Sequence, residues 1–421
     1  MRIYFSGIGG VGIGPLAEIA LDAGYDVVGS DLKESAFTRA LVARGATVFI
    51  GQDGSQIKNA HEQKPIEWFV FTAALPDNHP ELVFAAANNI RQSKRDELLA
   101  TIIKDKDLQL IAVAGTHGKT TTTGMFVWAL QQLGVLTSYS VGSTVSFGPS
   151  GAYAPGSQYF VYECDEFDRN MLQFYPQLSV ITSLDYDHAD TYPTVADYRA
   201  SFVQFLEQSD FAVLWEKDLR YLATPTLDTD SEAYDELMDL SRFTLIGNHN
   251  RHNAFLVERA LLRLLPDTDV LQLTAILNAF PGTGRRFEKL ADNLYSDYGH
   301  HPVEIVATRQ LAHELNDRVV LVYQPHQNVR QQEIKNQYPA TMQGFDTIYW
   351  LPTYLSREQA DQAVLTPEQL SAGITDPVII SNTDETLWTN IEKERAAGKL
   401  VLVMGAGSID DWIRQQLAVA I

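Results

Sequence analysis

The sequence predicts an α/β protein of three domains: a Rossmann-like N-terminal domain, a central parallel sheet of the P-loop ATPase type, and a second Rossmann-like domain at the C-terminus. Three observations predict it. Short apolar runs of strand length alternate with helix-period stretches along the chain, which is the pattern of βαβ units. Glycine-rich loops stand between strand and helix at residues 7–12 and 115–120. The length of 421 residues exceeds the size at which one hydrophobic core stops growing.

Residues 2–5 read as a strand, followed by a glycine loop, a helix-period stretch at 15–23 and a second strand at 25–29 that runs into Ser30 and Asp31. WFVFTA (68–73) and LIAVAG (110–115) are strand-like, and 120–133 is helix-like. YFVYECDE (159–166) and LSVITSLD (178–185) open on near-continuous apolar runs, as strands buried on both faces do. From about residue 284 a further set of strands follows: VVLVYQPH (319–326), FDTIYWLP (345–352), PVIIS (377–381) and KLVLVMGAG (399–407). Boundaries fall in the polar KDKDLQ near 104/105 and in the turn-forming FPGTG near 281/282, giving expected domains 1–104, 105–281 and 282–421. Residues 222–241, acidic and poor in apolar side chains, are expected to form a solvated insertion.

Composition excludes several function classes. Hydrophobic residues make up 45% and charged residues 20%, ordinary for a soluble globular chain. Lys+Arg 32 against Asp+Glu 53 gives −21, which repels nucleic acid and anionic membrane, so a phosphate site must be built locally. The single cysteine, Cys164, rules out an internal disulfide and suits a reducing compartment, where it is expected to be a small buried hydrophobe. No apolar run approaches ~20 residues, and the N-terminus lacks a continuous apolar segment of signal type. A cytoplasmic enzyme, monomer or homodimer, is the expectation.

Four groups of residues can carry chemistry. In Gly7-Ile8-Gly9-Gly10-Val11-Gly12 the small residues let backbone N–H groups approach a diphosphate at a helix N-terminus, and Asp31 at the end of the next strand can hold a ribose hydroxyl. A dinucleotide oxidoreductase is also open on this loop alone. Gly115-Thr116-His117-Gly118-Lys119-Thr120 is shorter than GxxxxGK[ST], with Val113 where the first glycine would stand, but keeps its logic: amides cradle phosphate, Lys119 neutralises it, and Thr120 can ligate Mg²⁺. Glu163 and His188 each follow a predicted buried strand, where parallel sheets open onto the ligand crevice. For the hard cation Mg²⁺, Glu163 is the better ligand of the two. Asp165, Glu166, Asp168, Asp185, Asp187 and Asp190 read mostly as solvated loop charge. The last group is His249, Asn250 and Asn253, then Arg285 and Arg286, then the run from Asp297 to Pro302: asparagine amides suit an adenine edge, and arginine forks suit phosphate or carboxylate.

Taken together, GIGGVGIGPLAEIALDAGYDVVGSDLKES, AVAGTHGKTTTT, ECDEFD, DHADTY, HNRHNA, GTGRRFE, DYGHHP, QPH and GAGSID resemble the Mur ligases over nearly the whole chain, and their alanine-adding branch most. The resemblance implies an ATP- and Mg²⁺-dependent ligase of peptidoglycan synthesis. ATP would phosphorylate the lactyl carboxylate of UDP-N-acetylmuramate, and the amine of L-alanine would attack the acyl phosphate. It assigns Gly9, Gly10, Val11, Gly12, Asp31 and Ser35 to the UDP-sugar, and Gly115 through Thr121 with His249, Asn250, Asn253 and Arg285 to ATP. Thr120, Glu163 and His188 are assigned to magnesium, and Tyr298 and His300 to the amino acid. Lys119, Glu163, His188, His300 and Arg330 form the expected catalytic set.

The chain also departs from the family pattern. Phe202 stands where several relatives carry a carbamylated lysine, as in the alanine-adding branch. Gln327 replaces the arginine that usually follows QPH, and Arg330, one turn on if the segment is helical, is the nearest cation. That change keeps a murein peptide ligase in view, and a non-catalytic nucleotide-binding regulator is the alternative of another class.

Overall fold

The computed structural model describes residues 1–10, 12–72, 75–188, 191–224, 227–356 and 363–419. The chain divides into two compact units: Met1–Arg242 with Asn253–Pro281, and Phe243–His252 with Gly282–Ile421. The α/β class holds throughout, with three sheets among the described residues.

The first unit contains two of them. β1 (Arg2–Ser6), β2 (Asp26–Asp31), β3 (Thr47–Ile50), β4 (Trp68–Phe71) and β5 (Arg91–Ser93) form a parallel sheet in the order β3-β2-β1-β4-β5. This is the doubly wound order, whose strand order reverses beside β1 and opens a crevice at the carboxyl ends of β1 and β4. Every residue of β1 is buried, because helices cover both faces of the sheet. The second sheet comprises β6 (Gln109–Ala114), β7 (Thr137–Ser140), β8 (Gly151–Ala152), β9 (Tyr159–Glu163), β10 (Leu178–Ile181), β11 (Phe211–Trp215) and β12 (Asp230–Tyr234). Its order is β12-β11-β10-β6-β9-β7-β8, parallel except for the β7–β8 pair. β6 is therefore flanked by β9 and β10, which brings the loops after these three strands together.

The expected solvated insertion at 222–241 is corrected here, since β12 pairs in parallel register with β11 from Phe211↔Asp230 to Trp215↔Tyr234. Its acidic side chains belong to a sheet edge. Tyr234 anchors the strand by packing edge-on against Phe255, with ring centroids 5.0 Å apart.

In the second unit, β13 (Glu288–Ala291) and β14 (Leu294–Asp297) form an antiparallel hairpin. β14 then continues in parallel through β18 (Leu400–Met404), β15 (Val319–Tyr323), β16 (Thr347–Trp350) and β17 (Val378–Ile380). The loops after β14, β15 and β18 leave adjacent strands at their carboxyl ends, and these loops carry the DYGHHP, QPH and GAG motifs. Residues 243–252, within the expected central domain by sequence, group with this unit.

Candidate active site

Gly115-Thr116-His117-Gly118 joins β6 to the helix Lys119–Gln132. Two glycines are needed for conformational reasons. Gly115 has φ +128°, and a Cβ there would lie 2.5 Å from Thr182 Oγ1; Gly118 has φ +86°, and its Cβ would meet the Asn253 amide at 3.0 Å. The loop is pinned from β10: the Thr116 N–H donates to the Ser183 carbonyl (2.8 Å), the His117 N–H to Ser183 Oγ (3.1 Å), and Thr182 Oγ1 to the His117 carbonyl (2.5 Å). Thr116 Oγ1 also contacts the Tyr198 hydroxyl at 2.7 Å. Thr121 stands in the first turn of the helix.

Lys119 folds back over the loop, donating to the carbonyls of Gly115 (2.5 Å) and Thr116 (3.3 Å) and to Glu166 Oε2 (2.7 Å). Glu166 is a correction to the sequence reading. It is 1% exposed, pairs with Lys119, and presents its other oxygen 3.7 Å from His188 Nε2. Asp165 and Asp168 are likewise paired, with Arg95 and Lys94, while Asp190 lies outside the described residues. Burial lowers the lysine pKa, but attraction from Glu166 and Asp165 more than offsets this, so the ammonium is held above its ordinary value. Burial pushes the Glu166 carboxyl upward. A pattern reading misses Glu166 because the alternation in ECDEFD does not show which carboxylates turn inward.

Thr120 Oγ1 donates to Glu163 Oε1 (2.9 Å), and the Gly142 N–H donates to Glu163 Oε2 (3.0 Å). His188 has φ +60° and sits across the loop, its ring 5.3 Å from that of Phe167. The sheet thus brings Lys119, Thr120, Glu163 and His188 to one place. Asn253 is also here, 5% exposed, with an amide Nδ2 that has no hydrogen-bond partner. A buried unsatisfied donor beside a phosphate-type loop is what a ligand's acceptor would complete. Cys164 is buried, and burial holds its thiol well above the ordinary value.

The N-terminal glycine loop is braced by its own neighbours. Asp31 Oδ2 accepts from the Gly9 N–H (2.8 Å), and Ser35 Oγ donates to the Gly9 carbonyl (3.0 Å). Gly10 and Gly12 are in the turn that precedes the helix Gly14–Asp22, and Val11 lies outside the described residues. Beneath the loop, buried Glu81 accepts from Tyr4 (2.7 Å), Ser6 (2.5 Å) and Ser30 (2.6 Å), tying the ends of β1 and β2 together. Sequence reasoning missed Glu81, an acid in the otherwise apolar helix Pro80–Ala87.

In the second unit Tyr298, His300 and Arg330 meet. His300 Nε2 contacts the Arg330 guanidinium, its ring lies 5.4 Å from His326, and its backbone N–H donates to Glu304 Oε2 (2.9 Å). Arg285 stacks 4.7 Å from the Tyr298 ring and donates to the Gly405 carbonyl (3.0 Å). Asp297, buried, accepts from the N–H groups of Phe287 (2.8 Å) and Gly299 (2.7 Å) and so fixes this corner. Gln327 departs from the expected geometry: it precedes the helix Asn328–Ile334 with φ +60°, and Arg330 lies in that helix's first turn. Asn250 donates to the Ile246 carbonyl (2.8 Å).

His249 Nδ1 is buried without a hydrogen-bond partner, and burial together with His252 lowers the ring pKa from 6.5 to about 4. The unfolded chain therefore binds a proton between pH 6.5 and 4 that the folded chain does not. Stability linked to the neutral ring is full above about pH 6.5 and is lost as pH falls toward 4, with a ceiling of about 3 kcal/mol. In urea titrations at pH 7 and pH 4.5, wild type is expected to lose more stability than His249→Asn; equal losses would refute the assignment.

Comparison with known proteins agrees with this arrangement. Residues 2–107 match the Mur ligase family catalytic domain and residues 113–233 the Mur ligase middle domain. The chain is 31% identical to a UDP-N-acetylmuramate–L-alanine ligase of Burkholderia multivorans, covering 97% of this chain and 96% of that protein. It is 30% identical, with the same coverage, to one of Desulforapulum autotrophicum. Among solved structures, the UDP-N-acetylmuramate–alanine ligase of Thermotoga maritima superposes with a TM-score of 0.79 at 25% identity, covering 100% of this chain and 99% of that one. A murein peptide ligase from Psychrobacter arcticus shares the fold with a TM-score of 0.68 at 20% identity, covering 99% and 98%. With a phosphate-type glycine loop after β6, the strand flanked by β9 and β10 in the sheet, and relatives matched along 97% of its length, the chain belongs to the Mur ligase family of ligases.

Proposed function

We propose that the protein joins L-alanine to the lactyl carboxylate of UDP-N-acetylmuramate at the expense of ATP. The observation that carries the reading is the convergence of Lys119, Thr120, Glu163 and His188 around one phosphate-type loop. A carboxylate is a poor electrophile until phosphorylated, and phosphoryl transfer asks mainly for positioning and charge neutralisation. Lys119 supplies the cation. The Thr120 hydroxyl and the Glu163 carboxylate, 2.9 Å apart, offer the hard oxygen donors that Mg²⁺ takes, and His188 stands beside them. When bound, Mg²⁺ would offset the charge on the phosphoryl oxygens. Among the described residues no cluster of three His, Cys, Asp or Glu side chains stands ready to hold a metal alone.

Asn253, together with His249 and Asn250, is assigned to the adenine, and Arg285 to a phosphate. Gly9, Gly10, Val11, Gly12, Asp31 and Ser35 are assigned to the UDP-sugar, and Tyr298, His300 and Arg330 to the amino acid. Among the described residues no helix is long and apolar enough to cross a membrane, and the cytoplasm, where nucleotide substrates are made, is the proposed compartment. The test is to incubate purified protein with ATP, Mg²⁺, UDP-N-acetylmuramate and either alanine or a tripeptide, and to weigh the products. An alanine adduct supports the reading; a tripeptide adduct alone replaces it with a murein peptide ligase, and no adduct with a nucleotide-binding regulator.

Gln327 carries a specificity prediction. A neutral amide can donate to the alanine carboxylate, but a charge-assisted pair is about twice as strong. Gln327→Arg is expected to lower the KM for alanine about fivefold, the equivalent of roughly 1 kcal/mol, with the KM for ATP unchanged. Arg330→Ala should raise the alanine KM. An unchanged alanine KM in the first variant would place Gln327 outside the amino-acid site.

A further inference from the structure

The loop at residues 163–168 has two faces. Glu163 and Glu166, three residues apart, turn toward Thr120 and Lys119. Asp165 and Asp168, also three apart, turn toward the start of the helix Arg95–Asp105. Arg95 Nη2 lies 3.4 Å from Asp165 Oδ2, and Lys94 pairs with Asp168. Arg95 Nε donates to Asp96 (3.2 Å), and buried Asp96 accepts from the Tyr162 hydroxyl on β9 (2.5 Å). The third edge of the guanidinium faces the N-terminal glycine loop, where a Cβ on Gly12 would lie 3.4 Å from Nη1. Asp168 and Arg169 hold φ of 54° and 57°. Such left-handed backbone at non-glycine residues costs about 1 kcal/mol each and persists only where surrounding contacts impose it.

We infer that Arg95 is a positioning residue that couples the two ligand sites of the first unit. An anionic group of the acid substrate at the glycine loop engages Nη1, while Nη2 holds Asp165 and so sets the loop that presents Glu163 and Glu166. Both ligands then bias one segment. The coupling is reciprocal: whatever factor the UDP-sugar adds to nucleotide affinity, the nucleotide adds to UDP-sugar affinity. Lys94 and Asp168 form a more exposed pair and contribute little. The inference rests on the ligase reading for the identity of the two ligands.

Calorimetric titration of the full chain tests it, using a non-hydrolysable ATP analogue with Mg²⁺, in the absence and presence of saturating UDP-N-acetylmuramate. In wild type the UDP-sugar is expected to tighten the analogue about fivefold or more, within the usual range of coupling between sites. In Arg95→Met and in Asp165→Asn the factor should fall to about one, while the analogue alone binds within about twofold of wild type. The double variant should be no worse than either single one, since the two residues act as one contact. Arg95→Lys, which keeps the charge but loses the fork, should not restore the factor. Asp165→Asn is near-isosteric and keeps the test open if Arg95→Met does not fold. Binding of both ligands to wild type without coupling, or coupling that survives in Arg95→Met and Asp165→Asn, overturns the inference and leaves the ligase reading standing. A wild type that fails to bind the UDP-sugar overturns both.

Discussion

Lys119→Ala is expected to cripple ATP-dependent ligation, with kcat reduced by about 10²–10³, while UDP-sugar affinity changes little. The rate effect follows from removing a preorganised cation from the place where phosphoryl charge develops, for which losses of about 10²–10³ per donor are usual. The separation of effects follows from topology: Lys119 opens the helix after β6, and the glycine loop follows β1 in another sheet. A second consequence concerns stability. The substitution leaves Glu166, 1% exposed, without its cation, and breaking one side of a buried pair costs about 3–5 kcal/mol. Pairing Lys119→Ala with Glu166→Gln should therefore recover much of the lost stability without restoring turnover. Kinetics, UDP-sugar binding and denaturant midpoints on both variants check this. Unchanged turnover in the single variant would remove the phosphate-loop assignment, and equal stability of the two variants would remove the ion pair's role.

That ion pair marks where sequence stops being informative. The phosphate-type loop was legible because its pattern is local: an apolar run, two glycines at positive φ, then lysine and threonine opening a helix. Glu163 and His188 were legible because parallel strands deliver their carboxyl ends to one crevice. Glu166 was not, since its role depends on a turn through Asp168 and Arg169 in left-handed backbone that no residue type in ECDEFD announces. Edge strands were missed for a related reason. β12 and β13 are short and polar, each held by one neighbouring strand, and carry no apolar periodicity. Gln327 shows the limit at one residue: the segment is helical from Asn328 and Arg330 falls in its first turn, but no residue pattern announces the positive φ of Gln327 just before it.

Glu163→Gln and His188→Ala rank the two proposed magnesium ligands. Glu163 directs one oxygen to the Thr120 hydroxyl and the other to the Gly142 N–H, so the glutamine variant keeps its shape and one hydrogen bond but loses the charge. A hard divalent ion prefers the anionic oxygen, and a neutral amide replaces it poorly. His188 offers an imidazole that Mg²⁺ does not favour, and a water can take its place. Its ring also stands 3.7 Å from Glu166, so its loss disturbs the ion pair with Lys119 as well as any metal contact. The carboxylate variant is expected to lower kcat/KM by about 10²–10³ and to raise the Mg²⁺ concentration for half-maximal rate by about tenfold or more. The histidine variant should lose about tenfold in rate with a smaller shift in Mg²⁺ dependence. Titrating Mg²⁺ at saturating ATP for both variants decides between the two ligands. Equal shifts, or a larger one for His188→Ala, would mean that ligand hardness does not rank the two residues.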